Sequence, residues 1–333
     1  RGYMPLSDMT IKIIAIALIV GLTAYNSLGI KQGTILQNAA MIAKLIPIIA
    51  IIIGALLFGK QSPDLSLIPA GGADVSFSKI ISMISFAVVA TLWAYEGWTN
   101  LNSLAEEMKD PARNLPKALL IGIGAVTVLY TLFYFAIYKV VPYGQIVRMI
   151  KSGNLYIGTE AAKSIFGNIG GSLVLVTMLI AMFSSLNGMI ISFPRNYYAM
   201  AKEGHFFKSY GKLHPKYNVP TTSLVGQAII ASILVLLRDL DQLTSLVVFT
   251  GMIFNLLGVI AVIVYRKKFP NLERPYKAWG YPVTVIISIA LFAGLMEDPV
   301  TALIGLIVPA AGAVVYLIFD RKLKSENNVN REV

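Results

Sequence analysis

The stretch FSKIISMISFAVVATLWAYEGWTNLNSLAEEM, residues 77–108, decides the fold class. Its apolar run from Ile80 to Ala94 is 15 residues long. As an α-helix that is about 22 Å, short of the ~30 Å of hydrocarbon in a bilayer. A polar interruption follows, Tyr95-Glu96-Gly97-Trp98-Thr99-Asn100, and a second run to Ala105 completes the crossing. This is the pattern of a membrane helix broken partway, which is tolerated only where the bare backbone lines a cavity. A continuous helix whose polar face packs on its neighbours is the alternative. A break has chemistry of its own. The first half ends in unpaired carbonyls near 93–96, suited to an ammonium group, and the second begins with free N–H groups, suited to an anion. A zwitterion matches both.

The rest of the chain agrees with a bilayer environment. Of 333 residues, 56% are hydrophobic and 14% charged, where a soluble domain carries roughly a quarter charged. Apolar runs recur at about 10–30, 34–59, 78–107, 117–140, 172–199, 221–237, 243–265, 282–297 and 299–319. Most exceed the 10–14 residues of a buried helix in a soluble core. The expected fold is therefore an all-α membrane protein with nine spanning helices. Asn114-Leu115-Pro116 reads as the cap and first turn of the fourth span, and Pro220-Thr221-Thr222 as the start of the sixth. Arg238–Gln242 and Glu297–Pro299 read as tight helical hairpins.

The net charge of +11 reports orientation here and predicts no nucleic-acid partner. Alternate loops differ in their basic residues. One set, which includes the C-terminal tail, holds eighteen Lys and Arg, the other nine, and Lys44 lies inside a span. The positive-inside rule then places the C-terminus in the cytoplasm. Nine crossings put the N-terminus outside. With Arg1 as first residue, this predicts that an N-terminal part is missing. There is no cysteine, which excludes disulfides and thiolate ligands within this chain. His205 and His214 share one loop without ligand spacing. No metal site, cofactor motif, P-loop or nucleophile elbow occurs, and no span holds a carboxylate pair. Glu106-Glu107 sits at a helix end. Transport is thus expected and enzymatic activity is not; a membrane enzyme or an accessory subunit is the remote alternative.

Lys44 lies in TILQNAAMIAKLIPIIAIIIGALLFG, residues 34–59. It stands about 15 Å from the nearer end of that span, too deep to snorkel comfortably. A charge there costs at least ~2.5 kcal/mol and should face protein or water. A helix starting nearer Asn38 would instead leave it closer to the interface. Ser184-Ser185-Leu186-Asn187-Gly188 reads first as close-packing glue between helices, and Phe254-Asn255 as interhelical packing.

Three stretches carry a resemblance. WAYEGWTNLNSLAEEMKDPARNLPKAL (93–119), FSSLNGMIISFPRNYYAMAKEGHFF (183–207) and FPNLERPYKAWGYP (269–282) are similar to motifs of the amino acid–polyamine–organocation superfamily. The bacterial L-type branch, serine/threonine-type exchangers included, matches most closely. The resemblance implies that the nine spans are family helices four to twelve of a fold with two inverted five-helix repeats and two trailing helices. Residues 10–59 would then close the first repeat and 78–265 form the second. Residues 282–320 would be the trailing helices and 321–333 a cytoplasmic tail, all within one transport domain, 1–333. Family helices one to three, with their carboxylate-holding Gly-Ser-Gly motif, would be absent, so the chain by itself is expected not to transport.

The resemblance also implies site roles. The carbonyls of Trp93, Ala94 and Glu96, beside Tyr95 and Gly97, would receive the substrate's ammonium group, with Trp93 as an aromatic gate. Phe254 and Asn255 would lie near the side-chain pocket. Lys44, with Ser184 and Ser185, would stand where sodium-coupled relatives hold a cation. The implied activity is sodium-independent exchange of neutral L-amino acids across the bacterial inner membrane. The partners would be an amino acid and the lipid bilayer, with no disulfide-linked subunit. Glu96 stands where some L-type members carry glycine and proton-coupled relatives an acid, so proton symport is the close alternative.

Overall fold

The computed structural model describes residues 7–63, 76–238, 240–274 and 276–294. The expected span at 299–319, the end of the one before it, the hairpin at Glu297–Pro299 and the tail at 321–333 lie outside the described residues. Among the described residues the regular structure is entirely helical: α1 Asp8–Asn26, α2 Ile30–Phe58, α3 Phe77–Leu92, α4 Pro111–Val140, α5 Tyr143–Lys151, α6 Ile157–Phe166, α7 Asn168–Lys202, α8 Thr221–Leu237, α9 Leu240–Lys268 and α10 Val283–Gly294. Short 3₁₀ segments occupy Trp93–Tyr95, Trp98–Glu107 and Lys208–Gly211. Of these helices, α1, α2, α4 and α7 are each long and apolar enough to cross a membrane.

Polar side chains share the buried positions with aliphatic ones, and many large aliphatic side chains face outward. Ser184, Asn187, Ser192, Ser223, Thr23 and Asn26 are buried. Ile46, Leu57 and Phe58 on α2, Leu120 and Ile121 on α4, and Ile229 and Leu237 on α8 are exposed. Helices surrounded by lipid gain nothing by hiding leucine, and they approach one another through small and hydrogen-bonding residues.

The chain forms two compact units. One takes in the described parts of Arg1–Gly29, Thr99–Pro116 and Ser192–Val333. In it α1 begins at Ser7, whose Oγ accepts the Thr10 N–H at 3.2 Å, and buries Ile19, Leu22, Thr23 and Asn26 along one stripe. α1 packs on α8, where the Lys12 ammonium donates to the Leu236 carbonyl at 3.0 Å. That places a cation at a helix C-terminus, where the macrodipole favours it. The loop before α8 docks through Ser223, whose hydroxyl donates to the Tyr210 carbonyl at 3.3 Å. At the far end of α9, Arg274 donates to the carbonyls of Phe269, Pro270 and Leu272. The Arg266 guanidinium lies 3.7 Å from the centre of the Tyr281 ring.

The other unit comprises Ile30–Trp98 and Lys117–Ile191. Ile52 and Ala55 of α2 pack with Ala136 of α4, against Leu129, Phe133 and Ile165. A second cluster joins Ile137, Val141, Ile146 and Ala161. Gly54 brings α2 against Ile165 and Phe166 of α6; a Cβ at that position would meet Ile165 at 2.9 Å.

Two local expectations need correction. The fourth span starts at Pro111, not at Asn114. Asp110 takes a left-handed φ of 45°, Pro111 fills the first helical position where its missing N–H costs nothing, and the Asn114 amide donates to the Lys109 carbonyl at 2.6 Å. The loop between α4 and α7 also holds two amphipathic helices, α5 and α6, too short and polar to read as spans. Pro220 does precede α8 directly, and α2 starts at Ile30 instead of near Asn38.

Gly170, at the start of α7, abuts the backbone of Ala162 and Lys163 at the end of α6, with the Lys163 nitrogen 2.8 Å from where a Cβ would sit. Backbone cannot rotate away as a side chain can. Gly170→Ala should therefore lower the thermal unfolding midpoint in detergent, at a cost of about 1–3 kcal/mol. Gly122→Ala, in open space on α4, should leave the midpoint unchanged or raise it.

Candidate functional site

The interruption expected after Ala94 is present in the backbone. α3 stops at Leu92, Trp93–Tyr95 tighten into a 3₁₀ turn, and Gly97 adopts φ 105° before the chain resumes as a 3₁₀ segment at Trp98. That φ is one L side chains rarely adopt, which explains a glycine here. The second half, expected as further helix, is the tighter 3₁₀ form as far as Glu107.

Helix α4 holds the turn. The Tyr130 hydroxyl donates to the Ala94 carbonyl at 3.1 Å. The Tyr95 hydroxyl donates to Thr127 Oγ1 at 3.2 Å, and the Thr127 hydroxyl donates to the Ile123 carbonyl at 2.9 Å. The rings of Tyr95 and Tyr130 meet edge to face, with centroids 5.4 Å apart and planes at 78°. Thr127 and Tyr130 are three residues apart and share a helix face. Ala94, Glu96 and Gly97 are exposed and Tyr95 half-buried.

Lys44 lies in the middle of α2, fourteen residues from Ile30 and fourteen from Phe58, about 21 Å along the axis from either end. Its side chain is half-buried, and among the described residues its ammonium has no hydrogen-bond or ion-pair partner. It belongs to a stripe with Gly33, Gln37, Ala40 and Ile51, spaced by threes, fours and sevens. Three residues on, Pro47 removes the amide that would bond the Ala43 carbonyl.

Two turns before Lys44, the same stripe meets α7. The Gln37 amide donates to Ser184 Oγ at 3.3 Å. The Asn187 amide donates to Gln37 Oε1 at 3.0 Å and to the Gly33 carbonyl at 3.4 Å. Ser184 and Asn187 are wholly buried, while Ser185, one residue along, is exposed. Gly188 completes the contact; a Cβ there would sit 3.4 Å from Gln37 Nε2. The two serines thus differ: Ser184 is bound into the α2–α7 contact, and Ser185 is not. Among the described residues no hydrogen bond joins Lys44 to either. Phe254 is exposed and Asn255 half-buried on α9, in the other compact unit. Also in that unit, Glu107 forms an ion pair with Arg195 and Ser103 donates to Asn196 at 2.8 Å, fixing the end of the 98–107 segment to α7.

Sequence reasoning missed Gln37, Thr127 and Tyr130. The signal existed: Thr127, Tyr130, Thr131 and Tyr134 place polar atoms at three- and four-residue spacing in an apolar run, and Gln37 lies one heptad before Lys44. Among the described residues no cluster of His, Asp or Glu could hold a metal ion.

Comparison with known proteins adds to this geometry. A family model described as amino acid permease matches residues 2–318. The serine/threonine exchanger SteT of Bacillus subtilis (strain 168) is 32% identical over 312 residues, 92% of this chain and 68% of its own length. The b(0,+)-type amino acid transporter 1 of Mus musculus is 28% identical over 320 residues, 93% and 63% respectively. The branched-chain amino acid permease BcaP of Bacillus subtilis (strain 168) is 28% identical over 312 residues, 92% and 64%. The chain spans about two thirds of the length of these relatives.

Removing one partner of a buried amide pair strands the other. Asn187→Leu and Gln37→Leu should each destabilise by about 1–3 kcal/mol, read as a fall in the unfolding midpoint. The double variant should cost less than the sum, with a coupling of roughly 0.5–3 kcal/mol. Strict additivity would show that the amides do not bond.

Proposed function

The chain belongs to the amino acid permease family, and from that membership we propose sodium-independent exchange of neutral L-amino acids by alternating access. The family is one of multi-pass plasma-membrane transporters and not of enzymes. The observation that carries the reading is the broken helix at Trp93–Gly97. An α-helix that stops inside a bilayer leaves carbonyls without donors. An α-ammonium group, bearing several N–H bonds and a positive charge, answers that deficit.

The carbonyls of Trp93, Ala94 and Glu96 are assigned to the ammonium, and Trp93 to the gate. Phe254 and Asn255 are assigned to side-chain selection on resemblance alone. Lys44 supplies a fixed positive charge on a helix interior, with Ser184 and Ser185 on the neighbouring helix. A built-in cation removes the need for sodium, which supports the sodium-independent reading. Residues 10–59 and 78–265 are taken as parts of two inverted repeats. Residues 282–320 are taken as trailing helices and 321–333 as a cytoplasmic tail, in a bacterial inner membrane. Without cysteine, these 333 residues form no disulfide to a partner.

A second reading, proton-coupled symport, draws on Glu96 within the turn and Lys44 as proton carriers. Proteoliposomes containing the protein from its complete reading frame separate the two. Exchange predicts that uptake of labelled serine or threonine needs unlabelled amino acid inside and is unchanged when choline replaces sodium. Uptake into empty vesicles driven by a pH gradient would establish symport instead. Lys44→Ala and Gly97→Ala should each lower exchange at least about tenfold at unchanged membrane abundance; for Gly97 the strain of ~1–3 kcal/mol sets the scale. Wild-type flux in both variants would remove the site assignment.

A further inference from the structure

We propose that the loop joining α9 to α10 is a binding surface for anionic phospholipid headgroups, with Lys267, Lys268 and Lys277 taking the lipid phosphate and Trp279 seated at the headgroup level beside them. It stands on residues that the transport reading does not use.

The loop's place at a membrane surface follows from the helices it joins. α9 runs apolar as far as Val264 and ends in Tyr265-Arg266-Lys267-Lys268. α10 opens at Val283 with a second apolar run, and the two helices pack on each other. The Arg266 guanidinium, in the last turn of α9, lies 3.7 Å from the centre of the Tyr281 ring, just before α10. The end of one helix and the start of the next are therefore side by side, and residues 269–282 join them at a single face of the bilayer. Aromatic and basic side chains at such a place are the ones that headgroups favour.

Residues 266–281 hold five cations, Arg266, Lys267, Lys268, Arg274 and Lys277, against one carboxylate, Glu273. The two arginines are committed to the loop itself. Arg266 stacks on Tyr281, and Arg274 closes the bend after α9 through the carbonyls of Phe269, Pro270 and Leu272. The three lysines are exposed, and among the described residues none of them has an ion-pair partner. Unpaired ammonium groups on this surface call for an anion, and the anion a bilayer offers there is lipid phosphate.

Trp279 favours a lipid over a free anion. Its side chain is 89% exposed, yet its backbone is fixed. The Thr284 hydroxyl donates to the Trp279 carbonyl at 2.9 Å, and Gly280 turns the chain with a φ of 70°. An indole held outward is poorly placed in water and well placed at the headgroup boundary, where the ring meets acyl chains and the N–H meets a polar acceptor. A free phosphate would use the lysines alone; a phospholipid uses both.

The test titrates the protein from its complete reading frame, in a neutral detergent, with phosphatidylglycerol and separately with phosphatidylcholine. Native mass spectrometry reads the apparent Kd of the first lipid bound. Wild type should prefer phosphatidylglycerol, and the preference should shrink as ionic strength rises. Lys267→Gln, Lys268→Gln and Lys277→Gln together should weaken phosphatidylglycerol at least about tenfold, since each lysine near an anionic surface contributes about fivefold. Phosphatidylcholine should be unaffected. Lys277→Gln alone, expected at about fivefold, carries the test if the triple variant does not fold. Trp279→Ala should weaken both lipids alike, and unchanged affinities would overturn the seating of the indole. A matched loss of charge elsewhere, Lys60→Gln with Lys79→Gln and Lys151→Gln, should keep the preference. Wild type without a preference, a triple variant that retains it, or a matched control that loses it equally overturns the inference. So does a polypeptide that copurifies with wild type and not with the triple variant, which would assign the surface to a protein partner. Lysines that only set orientation would alter membrane abundance and leave the lipid preference in place, which overturns it as well.

Discussion

Backbone amides and carbonyls inside a bilayer have no water to turn to, and this structure is organised around that shortage. A continuous helix meets it automatically, since every interior N–H finds the carbonyl four residues back. Where α3 gives out at Leu92, the account has to be completed by other means. A 3₁₀ turn takes over for three residues, Gly97 supplies a φ closed to other residues, and α4 offers a phenol to the Ala94 carbonyl. The unwound turn is stable because a neighbouring helix replaces the bonds it has lost.

The same shortage explains how polar residues come to be buried here. In a water-soluble core Ser184, Asn187 and Gln37 would be costly guests. Between α2 and α7 they are the contact itself: two amides and a hydroxyl that bond one another, with the Gly33 carbonyl accepting from Asn187 and Gly188 lying against the Gln37 side chain. Large aliphatic residues such as Leu57 and Leu237 point outward. Lys44 stands on this same stripe of α2, between the amide contact and the Ile52–Ala136 core. Its position on the helix is fixed from both sides by packing that does not involve its charge.

Much of this was legible in the sequence. A 15-residue apolar run followed by Tyr-Glu-Gly-Trp favours a broken third span over a continuous helix, and the break falls at Trp93–Gly97. Length and apolarity located α1, α2 and α7 to within four residues at each end, and α4 to within six. The small elements escaped. α5 and α6 are nine and ten residues of mixed polarity, and no hydropathy argument separates such segments from loop. Pro116 drew attention from Pro111, although the left-handed Asp110 makes Pro111 the true start of α4. The partners of the broken turn escaped for a different reason. A tyrosine in an apolar run reads as a large hydrophobe until something is known to lie opposite its hydroxyl, and sequence alone carries no such knowledge. Ser184 and Ser185 look equivalent as letters; only the rotation of α7 buries one and exposes the other.

The proline at 47 has a mechanical consequence. By withholding an amide from the Ala43 carbonyl it takes one rung from α2 within a single turn of Lys44. A helix with a rung missing is softer to flexing there than along the rest of its length. Lys44 therefore sits within one turn of the place where α2 lacks an interior hydrogen bond, and any bend of that helix has its natural pivot beside the charge.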